Sequence, residues 1–355
     1  MDCDPGCVTV RRAGRGRVRC FARTFASGKA ENASLDWPSS WGNRHAANLR
    51  SFIAPLGAGA AKSQNPYNRA VLPSADKDFV VIPTEHFTIE GRSHAGHESY
   101  FRVRELGAVL DIGRGPDFAI GMPNVFVTHA HLDHAVGIPF YAGQRHLQRI
   151  PGGRVFVPAE AADDFRALMA LHSKLEDTGY DIEIVGVAEG DVVTIGKGHE
   201  VRGHRATHRV PARGYEFLEV RHRLRAEFAG REDIGELRRG GADVSEEYRH
   251  PLLFYTGDTD RGILETNDAL FRAEVLMIEC SFVMPGHQER AARYRHIHFD
   301  DIAEFAGRFE NSMIVLTHFS RRYARAEIHD EIRRRCPAVL RDRLRLALPE
   351  PFQRL

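Results

Sequence analysis

The sequence predicts a mixed α/β chain in which two sheets pack face to face and helices cover their outer sides. Three observations carry that expectation. Runs of β-branched residues precede helical periodicity, and this strands-then-helices order occurs twice within one segment of ordinary domain size. The composition is that of a globular protein, with 355 residues, 43% of them hydrophobic and 27% charged. Several apolar runs end abruptly in histidine, aspartate or glutamate, as strands do when they deliver polar groups to a site on a rigid sheet.

Taken in order, residues 1–78 show no sustained period. Arg11-Arg12-Ala13-Gly14-Arg15-Gly16-Arg17 and the Ala, Gly, Ser, Asn and Pro stretch up to Pro73 support no packed element, so this part reads as a disordered leader. An organelle signal suits the arginines but not Asp2, Asp4 and Glu31, and a basic nucleic-acid arm is a second option. An upstream start that adds residues the domain does not need is the third and plainest. The folded domain is expected over 79–355. Its first strands fall at 79–82, 87–90, 100–104 and 108–111, each bounded by Gly or Pro. A strand near 125–127, a helix at 140–147, a strand at 155–157 and a helix at 160–175 follow. The second half offers strands at 182–187, 192–195, 200–204 and 215–220, a charged stretch over 221–250, and buried strands at 252–255 and 275–278. A helix at 300–309, a strand at 313–316 and a helix at 326–335 complete it.

The formal net charge is +1, so a polyanionic partner would have to be met by a local basic surface. Cys3, Cys7, Cys20, Cys280 and Cys336 are scattered and odd in number, which argues against a disulfide framework and for a reducing, cytoplasmic setting. No stretch approaches the roughly 20 apolar residues of a membrane span.

The chemistry concentrates in Val125-Phe126-Val127-Thr128-His129-Ala130-His131-Leu132-Asp133-His134. On an extended segment residues two apart point the same way, so His129 and His131 can grip one cation together. Asp133 and His134 lie past the bend, where a helix begins, and face a second position. The spacing therefore predicts two metals, whose remaining ligands must lie downstream. Three later strands end in suitable residues: Thr207-His208, Thr256-Gly257-Asp258-Thr259 and Thr317-His318-Phe319. Taken singly, His208 or His204 reads as a surface histidine and Gly257-Asp258 as a turn. Together and in this order they read as a binuclear set.

These residues resemble a known family. His129-x-His131-x-Asp133-His134, His208, Asp258 and His318 look like the metal set of the metallo-β-lactamase fold hydrolases, which form an αββα sandwich of two mixed sheets. Phe254-Tyr255-Thr256-Gly257-Asp258-Thr259, Ile278-Glu279-Cys280-Ser281-Phe282, Tyr294-Arg295-His296-Ile297-His298 and His318-Phe319-Ser320-Arg321-Arg322-Tyr323 narrow the resemblance to the tRNase Z family, nearest its short plant form. The resemblance runs from about Phe87 to about Leu348.

It implies an endoribonuclease that removes the 3′ trailer of precursor tRNA with two divalent metals, Zn2+ before Mn2+ or Fe2+, and a homodimer. His129, His131 and His208 would hold one metal, Asp133, His134 and His318 the other, and Asp258 would bridge. Asp133 would also orient the attacking water, Glu279 and His296 would assist the leaving group, and Arg322 would touch phosphate. The charged 221–250 segment occupies the place of the family's tRNA-gripping arm, so Arg221, Arg223 and Arg225 are candidate RNA contacts. Arg295 stands where a glycine is common, and no Pro-x-Lys-x-Arg-Asn loop precedes Asp111. Two rivals are another hydrolase on the same fold, acting on a lactone, thioester or sulfate ester, and a non-catalytic RNA- or protein-binding relative.

Overall fold

The computed structural model describes residues 77–196 and 198–355, so the leader expected over 1–78 lies, but for its last two residues, outside the described part. The first sheet contains β1 (Val80–Pro83), β2 (Thr88–His94), β3 (Glu98–Val103), β4 (Ala108–Ile112), β5 (Asn124–Phe126), β6 (Arg154–Pro158) and β7 (Glu183–Val187), in that spatial order. The second contains β8 (Val192–Thr194), β9 (His199–Ala206), β10 (Ala212–Leu224), β11 (Ser245–Tyr255), β12 (Val275–Glu279), β13 (Met313–Thr317) and β14 (Leu344–Leu346), again in sequence order. In each sheet the first four strands are joined antiparallel and the last four parallel. Parallel neighbours need a crossover, which is where the helices enter.

Those helices are α1 (Leu132–Ala135), α2 (Ile138–Leu147), α3 (Ala162–Glu176), α4 (Ile234–Arg239), α5 (Gly262–Thr266), α6 (Ala269–Arg272), α7 (Gln288–Tyr294), α8 (Phe299–Glu304), α9 (Arg325–Arg335) and α10 (Ala338–Arg341). α2 and α3 cover the first sheet through Ile138, Tyr141, Phe165 and Met169. Phe271, Phe299, Ile328 and Ile332, on α6, α8 and α9, cover the second. Between the sheets lies a third apolar layer. At its centre the Phe126 ring stacks on Phe156 at 4.5 Å and meets Tyr215 and Phe217 edge-on at 5.1 Å. Each buried aromatic contributes about 1.5–3 kcal/mol of transfer free energy, so this cluster is a large share of what holds the sheets together. The expected two mixed sheets with flanking helices are what the chain forms.

The differences from expectation have local causes. The 221–250 stretch is an extension of one hairpin: β10 continues to Leu224 and β11 begins at Ser245. Beyond the sheet both faces of this hairpin meet water, which removes the apolar alternation that marks a strand. The helix expected over 300–309 stops at Glu304 and becomes a 3-10 turn at Ala306–Arg308. Helices α5, α6, α7 and α10 are too short to show a period. β14 follows Arg343 and has Leu344 and Leu346 buried, and the Arg343 guanidinium donates to the carbonyls of Phe309 and Asn311.

Candidate metal centre and catalytic pair

The site forms at one edge of the sandwich, where loops after β5, β9, β11, β12 and β13 converge. The loop after β5 belongs to the first sheet yet is tied to the second, because Thr128 O accepts from Arg213 N–H at 2.8 Å and His129 bridges to Ala212. Gly257 follows β11 at φ +58°, where a Cβ would lie 2.4 Å from Cβ of Thr128. Only glycine allows that approach, which brings Asp258 against the histidine loop.

Two groups of ring nitrogens result. Nδ1 of His131 lies 3.0 Å from Nε2 of His129 and 3.3 Å from Nε2 of His208. Nε2 of His134 lies 3.3 Å from Nε2 of His318, with Oδ2 of Asp133 at 3.6 and 3.7 Å from the two. Asp258 stands between the groups. Its Oδ2 faces His129 and His208 at 3.7 and 3.9 Å, and its Oδ1 faces His134 and His318 at 3.5 and 3.3 Å. Oδ1 of Asp258 is buried and has no hydrogen bond among the described residues. An orphaned buried carboxylate oxygen among converging imidazoles is the donor set of a cation site, and its two oxygens suit two ions.

The outer ring nitrogens are held. Nδ1 of His134 donates to Asp111 at 2.8 Å, Nδ1 of His208 to the Arg295 carbonyl at 3.0 Å, and Nδ1 of His318 to the Ser281 hydroxyl at 2.9 Å. Nδ1 of His129 lies 3.0 Å from the Thr128 hydroxyl. Such contacts fix tautomer and ring orientation so that the other nitrogen faces the ion. Asp111, Arg295 and His318 all adopt positive φ, at 53°, 56° and 59°. A glycine before His296 is therefore conformationally natural; here Arg295 is tied down by donating from its guanidinium to His208 O at 3.1 Å.

The electrostatics agree with neutral ligands set in a negative field. Burial pushes His129, His131 and His208 down, which leaves the unprotonated form a metal requires. Burial opposes charge on His134 as well, but Asp258, Asp111 and Asp133 outweigh it and push that group up to about 10. Burial likewise works against the Asp133 and Asp258 carboxylates, yet the histidines around them hold both below the usual carboxylate range. The same field that holds a proton favours a metal ion.

Beside this centre His296 donates from Nδ1 to Oε1 of Glu279 at 2.8 Å. Glu279 also accepts from Thr259 N–H at 2.8 Å and the Ser281 hydroxyl at 2.7 Å, so it both closes a strand end and holds the histidine. Burial disfavours an imidazolium at His296, but Glu279 and Asp258 push it up to about 9. His296 and His318 stack at 5.4 Å.

All nine residues expected here, the seven ligand candidates with Glu279 and His296, are thus brought together. His204 is not among them; it pairs with Glu216 at 2.9 Å. Arg322 is exposed beside Ser320. Arg221, Arg223 and Arg225 each pair with a carboxylate, Glu219, Glu246 and Asp243. Asp111, Thr128, Tyr255 and Ser281 support the site without having been expected to. Asp111 accepts from Thr128 N–H, the Thr128 hydroxyl, His134 and the Tyr255 hydroxyl, contacts between residues up to 144 apart that no local pattern reveals.

Residues 121–319 match the family model described as a beta-lactamase superfamily domain. The chain is 33% identical over 253 residues to tRNase Z TRZ1 of Arabidopsis thaliana, covering 70% of this chain and 90% of that protein. It is 31% identical over 301 residues to the chloroplastic tRNase Z TRZ2 of the same plant, covering 81% and 84%. The fold is that of the metallo-beta-lactamase fold protein YhfI from Bacillus subtilis, at TM-score 0.50 and 14% identity over 72% of this chain and 94% of that one. With His and Asp groups that could hold metal in the matched region and 33% identity to a tRNase Z across nine-tenths of that relative, the chain belongs to the tRNase Z family of the β-lactamase superfamily.

Proposed function

We propose that this chain is a metal-dependent endoribonuclease that hydrolyses the phosphodiester joining a precursor tRNA to its 3′ trailer. The observation that carries the reading is the Glu279–His296 pair at 2.8 Å beside two ligand groups bridged by Asp258. When bound, the metals lower the pKa of water from 15.7 to about 7, worth roughly 12 kcal/mol, and neutralise charge on the phosphate. His129, His131 and His208 would hold one ion, Asp133, His134 and His318 would hold the other, and Asp258 stands between them with one oxygen toward each group. Asp133 orients the proton of the attacking water. As the water, having lost one proton to solvent, bonds through its oxygen to phosphorus and the P–O3′ bond breaks, His296 gives its proton to the departing 3′ oxygen and is reprotonated from solvent, while Glu279 keeps the ring aimed and charged. The tRNA leaves with a 3′ hydroxyl and the trailer with a 5′ phosphate. Arg322, exposed beside Ser320, is the candidate to meet a phosphate next to the cut. The arm arginines contribute little by charge, because each would exchange a carboxylate for a phosphate.

The His and Asp ligand set suits zinc. A homodimer fits the groove of about 580 Å3 lined by Leu132, Val136, Phe140, Leu147 and Leu168, five exposed apolar side chains on α1, α2 and α3 and, for Val136, just past the end of α1. Among the described residues no helix is long and apolar enough to cross a membrane. A cytoplasmic address rests on the scattered cysteines, of which Cys280 and Cys336 are buried and unbridged.

Incubating the purified chain with trailer-bearing precursor tRNA and mapping the cut tests the reading, with Asp133→Ala as control. Cleavage directly after the acceptor stem supports it. Turnover of lactones or thioesters with no cut in the RNA would transfer the chain to the rival ester hydrolase.

A further inference from the structure

The arginines expected to meet RNA on the arm are neutralised, but those at the rim of the metal pocket are not. Arg209 follows His208, and α7, which ends just before His296, carries Arg290 in its first turn and Arg293 and Tyr294 at its end; all four are exposed. The rings of His208 and His296 are 5.1 Å apart, so both segments border the same cleft. The guanidinium carbons of Arg209 and Arg290 each lie 5.9 Å from the centre of the Tyr294 ring. Among the described residues no hydrogen bond or ion pair is formed by either guanidinium, and none joins Glu289, the acidic residue of α7, to them. Two unneutralised cations on one exposed aromatic ring repel each other unless an anion joins them. Their position is anchored, because Arg295 is tied to His208 in both directions.

We propose that Arg209, Arg290 and Tyr294 form a platform for single-stranded RNA flanking the cleaved bond, a base stacking with Tyr294 while the two arginines take adjacent phosphates. This deepens the reading above and rests on it for the identity of the RNA. The chemistry is that of sequence-tolerant strand binding: an aromatic face that accepts any base, beside cations that follow the backbone. It assigns the RNA grip near the cut to α7 and the β9–β10 turn, not to the arm.

The test is binding of a fluorescently labelled single-stranded trailer oligoribonucleotide to the metal-loaded full chain, read by anisotropy across a salt series, in parallel with precursor cleavage. Tyr294→Ala should weaken oligonucleotide binding about tenfold, and Tyr294→Phe should stay within about twofold of the wild type. Arg290→Ala should lower the slope of log Kd against log salt by about 0.7–1. Because these side chains are exposed, circular dichroism and Tm should not change. Wild-type affinity in both alanine variants, equal losses for Tyr294→Phe and Tyr294→Ala, or no binding by the wild type would each overturn the platform, whatever the cleavage result. Binding that depends on Tyr294 in a chain that leaves precursor tRNA uncut would keep the platform and remove the tRNA-trimming reading. Capture of an acidic peptide with the same dependence on Arg290 but none on Tyr294 would also count against RNA.

Discussion

At the scale of single residues, two side chains separate chemistry from metal holding. His296 touches Glu279 and stacks on His318, but its role needs no metal bond. His296→Ala is expected to lower kcat for precursor tRNA by about 10²–10⁴ while two metals per chain remain by elemental analysis. Loss of metal in step with activity would mean that His296 is a ligand and not the acid. Asp111 is the opposite case, buried and never near substrate. Four donors converge on its carboxylate, and an amide in its place would aim an N–H at one of them. Asp111→Asn should therefore reduce metal affinity about 10–100-fold in chelator competition. An unchanged affinity would show that His134 is oriented by something else.

At the scale of elements, the site depends on loops that only sheet geometry brings together. The turn after β11 illustrates the point. Gly257 has positive φ and no room for a Cβ against Thr128, so Gly257→Ala must push the β11 turn away from the β5 loop. The expected cost is about 2 kcal/mol or more in urea unfolding, accompanied by weaker metal binding. A loss below about 0.5 kcal/mol would mean that the two loops separate freely. The arm hairpin illustrates the reverse. Its tip residues His222, Arg223 and Leu224 are exposed, with Val244 buried behind them, and its ion pairs are worth about 0–1 kcal/mol each.

At the scale of the whole molecule, the candidate ligands come from both sheets: His129, His131, Asp133 and His134 follow β5 in the first, and His208, Asp258 and His318 follow strands of the second. Metal bound there would fasten one sheet to the other in the folded state alone. Removing it with a chelator is expected to lower Tm by several degrees, since saturation at 100 times Kd contributes about 2.7 kcal/mol, and adding zinc should restore it. A Tm indifferent to chelation, in protein shown to have lost its metal, would mean that the centre is preformed and contributes nothing to holding the sheets.

What could be read from the chain alone was whatever depends on short-range pattern. The β-branched runs place most strands, because half-buried and buried strands alternate or persist in apolarity regardless of partner. The six residues from His129 to His134 announce a metal loop, because ligand spacing on an extended segment is a local property. What needed the tertiary structure was pairing across the chain. No spacing shows that Asp258 stands between two histidine groups, that Asp111 holds His134, or that the arm arginines are matched with acids while Arg209 and Arg290 meet none among the described residues. Those outcomes depend on which distant segments the two sheets bring within a few ångströms, and charge neutralisation and hydrogen bonding act only over that range.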